Sequence, residues 1–137
     1  MDLSGNQISQ LGPGLSAMAA LRVLLLDHNR LKTLPDSLAA CPSLVRLDVS
    51  NNGLDCLPEN MGLLRQLKRL DCANNSLKAV PHSMGTLTLK EFDLRQASSN
   101  WYLSPILIGQ GLCKISHQLY PEDASADANS EQCKQSQ

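Results

Sequence analysis

Three histidines and five cysteines are the residues of this 137-residue chain with the most chemistry to offer. A metal centre needs such groups at short, convergent spacings, and a nucleophile needs a base beside it. His28 precedes Asn29 in an exposed position, His82 follows Pro81, and His117 lies far along the chain. Cys41, Cys56, Cys72, Cys113 and Cys133 are odd in number and irregular in spacing, and no two form a C-x-x-C pair. They read as free thiols of a reducing compartment, not as a disulfide framework. Cys41 and Cys72 fall at apolar positions and act there as small hydrophobes. Cys56 sits beside such a position and is expected to be accessible, but no basic neighbour is evident to activate it. The glycines of "SMG", "IGQG" and "LGPG" lack phosphate-loop spacing and read as loop residues. No acid, base, nucleophile or metal set converges. The expectation is a protein that is no enzyme and has no cofactor and no metal.

Charge narrows the partners. The formal net charge is −1, so no global field favours nucleic acid or an anionic membrane. No apolar run is long enough for a spanning helix. The opening "MDLSGNQISQ" is polar and lacks the layout of a secretion signal, which makes a cytoplasmic protein the expectation. Leucine is the anomaly, with 26 residues against 3% aromatics. A core made so largely of one side chain implies one packing solution used repeatedly.

The repetition is visible when the chain is offset by 23 residues. "LRVLLLDHNRLKTLPDSLAACPS" (21–43) lies over "LVRLDVSNNGLDCLPENMGLLRQ" (44–66), then over "LKRLDCANNSLKAVPHSMGTLT" (67–88), which is one residue shorter. Partial copies precede (1–20) and follow (89–96). Leu24, Leu47, Leu70 and Phe92 share a column, as do Leu26, Val49, Cys72 and Leu94. Within a copy Leu47 faces in, Asp48 out and Val49 in, which predicts a strand of about three to five residues. An asparagine then turns the chain. Asn6, Asn29, Asn52 and Asn75 form a column whose amides can satisfy buried peptide groups of neighbouring turns, a structural ladder. The proline of each L-P step marks a change of direction. "PENMGLLRQ" spaces its apolar residues for one or two turns of 3₁₀ or α-helix. One copy cannot bury its own leucines, whereas stacked copies can, with their strands in a parallel sheet on the inside of a curve.

The pattern L-x-x-L-x-L-x-x-N-x-L-x-x-L-P resembles the leucine-rich repeat family in its 23-residue intracellular form, such as the Ras-binding and scaffold-type members. It covers residues 1–96, about 70% of the chain. The resemblance implies an α/β class fold: a right-handed leucine-rich-repeat solenoid with a curved parallel sheet on the concave face and short 3₁₀/α segments on the convex face. It also implies binding of protein partners.

The pattern breaks at both ends. Met1 falls in the fourth column of its copy, so the first strand is cut nearly in half and no polar cap precedes it. Ala97 stands where the next ladder asparagine belongs. From there the chain changes character: Trp101, Tyr102 and Tyr120 all lie in this tail, residues 101–112 are apolar enough to pack, and residues 121–137 have the composition of a disordered segment. Two readings stay open. Either residues 101–120 cap the solenoid, or the chain is a fragment or alternative product whose tail does not belong to it and whose uncapped ends drive self-association.

What remains is surface. Strand residues that point away from the core form the inner face, and side chains in one column stand about 5 Å apart. The candidate partner-binding residues are Val23, Leu25, Asp27, His28, Arg46, Asp48, Asn51, Arg69, Asp71, Asn74, Glu91 and Asp93. Asp48 and Asp71 are like charges on adjacent strands, and Arg46 and Arg69 are placed to compensate them. One reading is a self-neutralising solvated sheet. The other is a non-catalytic protein–protein interaction surface of an adaptor, scaffold or regulatory segment in signal transduction. In that reading the aspartates meet basic groups, the arginines meet acidic ones and Leu25 is the apolar anchor.

Overall fold

The structure is a computed structural model and describes residues 1–96. The expectations for a cap over 101–120 and a disordered segment over 121–137 concern residues outside that range, as do Cys113, Cys133 and His117.

Each repeat builds one short strand. β1 (Val23–Leu25), β2 (Arg46–Asp48), β3 (Arg69–Asp71) and β4 (Glu91–Asp93) lie side by side in chain order as one parallel sheet. Their register follows the sequence columns: Val23, Arg46, Arg69 and Glu91 pair in succession, as do Leu24, Leu47, Leu70 and Phe92. Asp2 adds a single parallel bridge to Leu25. The middle residue of every strand is buried and its two neighbours are not. Period-two alternation runs one residue past each strand, to the buried Leu26, Val49, Cys72 and Leu94, and then stops, because the chain must leave the sheet.

The opposite side is made of 3₁₀ turns at Pro13–Ala17, Asp36–Ala40, Met61–Leu63 and His82–Thr86. The sequence allowed 3₁₀ or α-helix there. Among the described residues only 3₁₀ occurs. With five residues or fewer per segment, the tighter i→i+3 bond closes where an α-helical nucleus does not form. Gly62 shows how closely these turns approach one another. A Cβ on it would lie 2.2 Å from the Ser83 carbonyl oxygen. Gly62 is thus required by a backbone contact, although its sequence context reads as an ordinary loop. Its N–H donates to Ser83 Oγ at 3.0 Å, and that hydroxyl donates to the Glu59 carbonyl at 2.6 Å.

Between sheet and 3₁₀ turns runs one apolar core. Leu24, Leu31, Leu44, Leu47, Leu54, Leu64, Leu67 and Leu77 are fully buried. Each leucine contributes roughly 1.5–3 kcal/mol of transfer free energy. Cys41 and Cys72 belong to this core as free thiols, and Cys56 is exposed. Burial pushes the Cys41 thiol up and the Cys72 thiol well up, the latter aided by the nearby Asp71, Asp48 and Asp93 carboxylates.

Candidate protein-interaction face

The strand register places the candidate residues in rows across the inner face. In the first row Val23 is exposed, and Arg46 and Arg69 are direct neighbours. Arg69 reaches across to Glu91, with 3.2 Å between guanidinium and carboxylate. Arg46 forms no ion pair among the described residues. In the second row Leu25, Asp48, Asp71 and Asp93 pair in succession. The expected compensation of Asp48 by Arg46 and of Asp71 by Arg69 is not built. Parallel register sets Glu91 directly opposite Arg69, and the aspartates are turned toward their own backbone instead.

That turning is systematic. One carboxylate oxygen (Oδ1) of Asp2, Asp48, Asp71 and Asp93 accepts the N–H two residues on, from Ser4, Ser50, Ala73 and Arg95, at 2.9–3.1 Å. The side chain thereby stops the strand, holding a backbone donor that the departing chain would otherwise leave unpaired. The carboxylates differ in setting. Burial pushes Asp71 above the usual carboxylate range, and the neighbouring Asp48 and Asp93 add to the effect. Burial pushes Asp93 the same way, but Arg95 outweighs it and holds the group below that range. The Arg95 guanidinium lies 2.6 Å from Asp93 Oδ2. Asp27, in the next row, accepts from the Ser4 hydroxyl at 2.7 Å and lies 3.0 Å from His28 Nδ1. Both contacts lower its pKa, Ser4 more strongly.

The residue after that row makes the turn itself. Gly5, His28, Asn51, Asn74 and Gln96 all have φ between 54° and 65°, the left-handed region. The N–H groups of His28, Asn51 and Asn74 each donate to the carbonyl of the following turn, on Ser50, Ala73 and Arg95. Sequence reasoning placed His28, Asn51 and Asn74 on the surface but missed this conformation. The signal was Gly5 in the same column, since glycine, asparagine and histidine tolerate positive φ better than most. Asn74 also donates its amide to Asn51 Oδ1 at 3.0 Å, so two of the exposed candidates are tied together.

One residue later stands the buried amide column. Asn75 donates to the carbonyls of Val49, Cys72 and Ala73, and its Oδ1 accepts the Leu54 N–H at 3.0 Å. Asn52 does the same for Leu26, Val49 and Ser50, accepting from Leu31. Asn29 serves Leu3, Leu26 and Asp27, accepting from Ile8. Each side chain thus closes its own turn and clamps the preceding one. Asn6 occupies the same column but is exposed, and its amide reaches only the Leu3 and Ser4 carbonyls of its own turn. It closes a turn without clamping another among the described residues.

The inner face carries a depression of about 300 Å³ walled by Arg46, Arg69, Asp71, Glu91 and Asp93. A second hollow, of about 420 Å³, brings Cys56 and His82 together with Asp55, Glu59 and Lys78. Their distance in sequence concealed that juxtaposition. Among the described residues no group of three histidine, cysteine or acidic side chains is placed to hold a metal ion. No helix of those residues is long and apolar enough to cross a membrane.

Comparison with known proteins places this architecture. The family model for leucine rich repeats matches residues 1–54. No curated protein matches the chain by sequence. Among solved structures, a leucine-rich repeat protein of Leptospira interrogans is 31% identical with a TM-score of 0.65, covering 72% of this chain and 26% of its own. The leucine-rich repeat domain of the type III effector XopL is 24% identical with a TM-score of 0.72, covering 80% of this chain and 40% of its own. TLR13 in complex with ssRNA13 is 21% identical with a TM-score of 0.65, covering 80% of this chain and 16% of its own. The chain therefore spans well under half the length of these structures. The repeated columns, the parallel sheet, the asparagine clamps and these likenesses converge on one conclusion: residues 1–96 form a leucine-rich repeat solenoid, and the leucine-rich repeat family is the one the chain resembles.

Proposed function

We propose that the inner face of the sheet binds a protein partner, and that the molecule works as a non-catalytic adaptor or regulatory segment in a reducing, cytoplasmic setting. Leucine-rich repeat folds in general serve protein–protein interaction. The observation that carries the reading for this face is its unmatched charge. Arg46 stands beside Arg69, and Asp48 beside Asp71, with no cation in ion-pair contact with either aspartate among the described residues. Adjacent like charges cost a sheet stability. The backbone cap would be served equally by asparagine, so the charge on Asp71 gives the fold nothing. A partner that sets a basic group over Asp48 and Asp71 and an acidic one over Arg46 relieves both rows, with Val23 and Leu25 as apolar contact beside them. Both signs on one face, with a net charge of −1, support a selective protein partner over nucleic acid. The free thiols of Cys41, Cys56 and Cys72 support the compartment.

The test is affinity capture from cell extract with the wild-type chain and with Asp48→Lys/Asp71→Lys, each checked for fold by circular dichroism. The expected result is a partner retained by the wild type and lost from the folded double variant. A partner held equally by both removes the inner face as the site.

A further inference from the structure

Asparagine followed by glycine occurs once in this chain, at Asn52–Gly53, and Asn52 is one of the clamping amides. The pair carries a chemical liability. The backbone nitrogen after an asparagine can attack the side-chain Cγ, and glycine, with no Cβ, hinders that approach least. In the other clamps the following residue is Arg30 or Ser76, which sets a side chain there. Asn52 is also the least covered of the three. Asn29 is 8% exposed and Asn75 6%, whereas Asn52 is half-buried.

The fold does not demand this glycine. Gly53 lies outside the left-handed region, and a Cβ on it would meet the Leu31 carbonyl oxygen and the Lys32 side chain at 3.6 Å, an ordinary contact. The fold instead restrains both reacting groups through one residue of the preceding turn. The Leu31 N–H donates to Asn52 Oδ1 at 3.0 Å, and the Leu31 carbonyl accepts the Gly53 N–H at 2.9 Å. Asn52 Nδ2 donates to the Leu26, Val49 and Ser50 carbonyls at 3.0 Å. Turning Cγ onto the Gly53 nitrogen breaks these bonds, so the reaction waits for the turn to open locally.

We infer that Asn52–Gly53 is a deamidation site gated by the stack, at which an opening of the clamp becomes permanent. The Gly53 nitrogen gives its proton to solvent and bonds to Cγ. The Cγ–Nδ2 bond breaks, and Nδ2 takes a proton from solvent and leaves as ammonia. Water then opens the cyclic imide. Attack at Cγ breaks the new N–Cγ bond and gives aspartate. Attack at the backbone carbonyl carbon of residue 52 breaks its bond to the Gly53 nitrogen and gives isoaspartate, with the main chain running through Cβ. Either product replaces the amide donors by a carboxylate, which only accepts, set against three carbonyl oxygens. That clamp cannot re-form, and the stack loosens at its middle while the Asn29 and Asn75 clamps remain.

The test is incubation of the full chain at mildly alkaline pH, in buffer and in guanidinium chloride, with peptide mass spectrometry of its asparagines over time. The expected result is that Asn52 converts fastest in guanidinium and several-fold more slowly in buffer, ahead of Asn29 and Asn75 in both. Gly53→Ala is expected to keep the wild-type circular dichroism and to slow conversion in guanidinium several-fold. The aged fraction is expected to unfold at lower denaturant than the fresh chain, as Asn52→Asp does. Equal rates in buffer and guanidinium overturn the proposal, because the stack then gates nothing. So does conversion of Asn52 no faster than that of Asn75, or an aged fraction as resistant to denaturant as the fresh chain.

Discussion

Asn51 and Asn52 are neighbours in the chain, and the same pair recurs as Asn74 and Asn75. The two columns use one residue type for different physical ends. Asn52 and Asn75 work through their side chains, each making four hydrogen bonds that join two turns. Asn51 and Asn74 work mainly through their backbones, at φ of 54° and 55°. The first role needs an amide of one length at one place. The second needs only a residue that accepts left-handed backbone, and the other copies fill it with glycine, histidine and glutamine. A column of identical letters therefore does not imply identical demands.

Substitution separates the two roles. Asn75→Ala leaves the Leu54 N–H and the Val49, Cys72 and Ala73 carbonyls without their partner, and a loss of about 3 kcal/mol is expected in urea unfolding. Asn74→Val, one residue away, forces a β-branched side chain into the left-handed region and is expected to lose about 1–2 kcal/mol. Asn74→Gly removes that strain and is expected to match or exceed the wild type by up to about 1 kcal/mol. Equal losses for Asn75→Ala and Asn74→Gly would erase the distinction. On the opposite side, Gly62→Ala must push the Ser83 backbone away and is expected to lower the melting temperature clearly, while Gly14→Ala, with open space around it, is not.

The smallest effect contrasts charge with capping. Asp71 has its pKa raised in the folded state, so its protonated form is the one the fold favours. Stability from this group is present below the ordinary carboxylate pKa and is lost as pH rises through the folded value. Asp71→Asn keeps an acceptor for the Ala73 N–H and drops the charge. At neutral pH it is expected to gain a few tenths of a kcal/mol, and in acid the gain should vanish. Asp27 runs the other way. Its pKa is lowered by Ser4 and then His28, so its contribution is present above the ordinary carboxylate pKa and is lost as pH falls through the folded value. Thermal melts of Asp71→Asn and Asp27→Asn across the acid range should therefore diverge in opposite directions.

The sequence alone determined the architecture of residues 1–96. A 23-residue period carries Leu24 onto Leu47 and Leu47 onto Leu70, and only stacked turns bury such leucines, so period and burial together set the strand register. Tertiary structure decided what the rows on that register do. Arg69 pairs with Glu91 and not Asp71, because the partner depends on which atoms the finished sheet brings opposite one another. The aspartates bend to their own backbone because the strand ends after three residues, a length the apolar pattern does not specify. The left-handed turn at His28 and the contact of Gly62 with Ser83 likewise arise only when one turn lies against the next. Burial is a sum over many apolar atoms and survives as a pattern in the letters. Hydrogen bonds and ion pairs depend on angles and tenths of an ångström, and those exist only in the assembled stack.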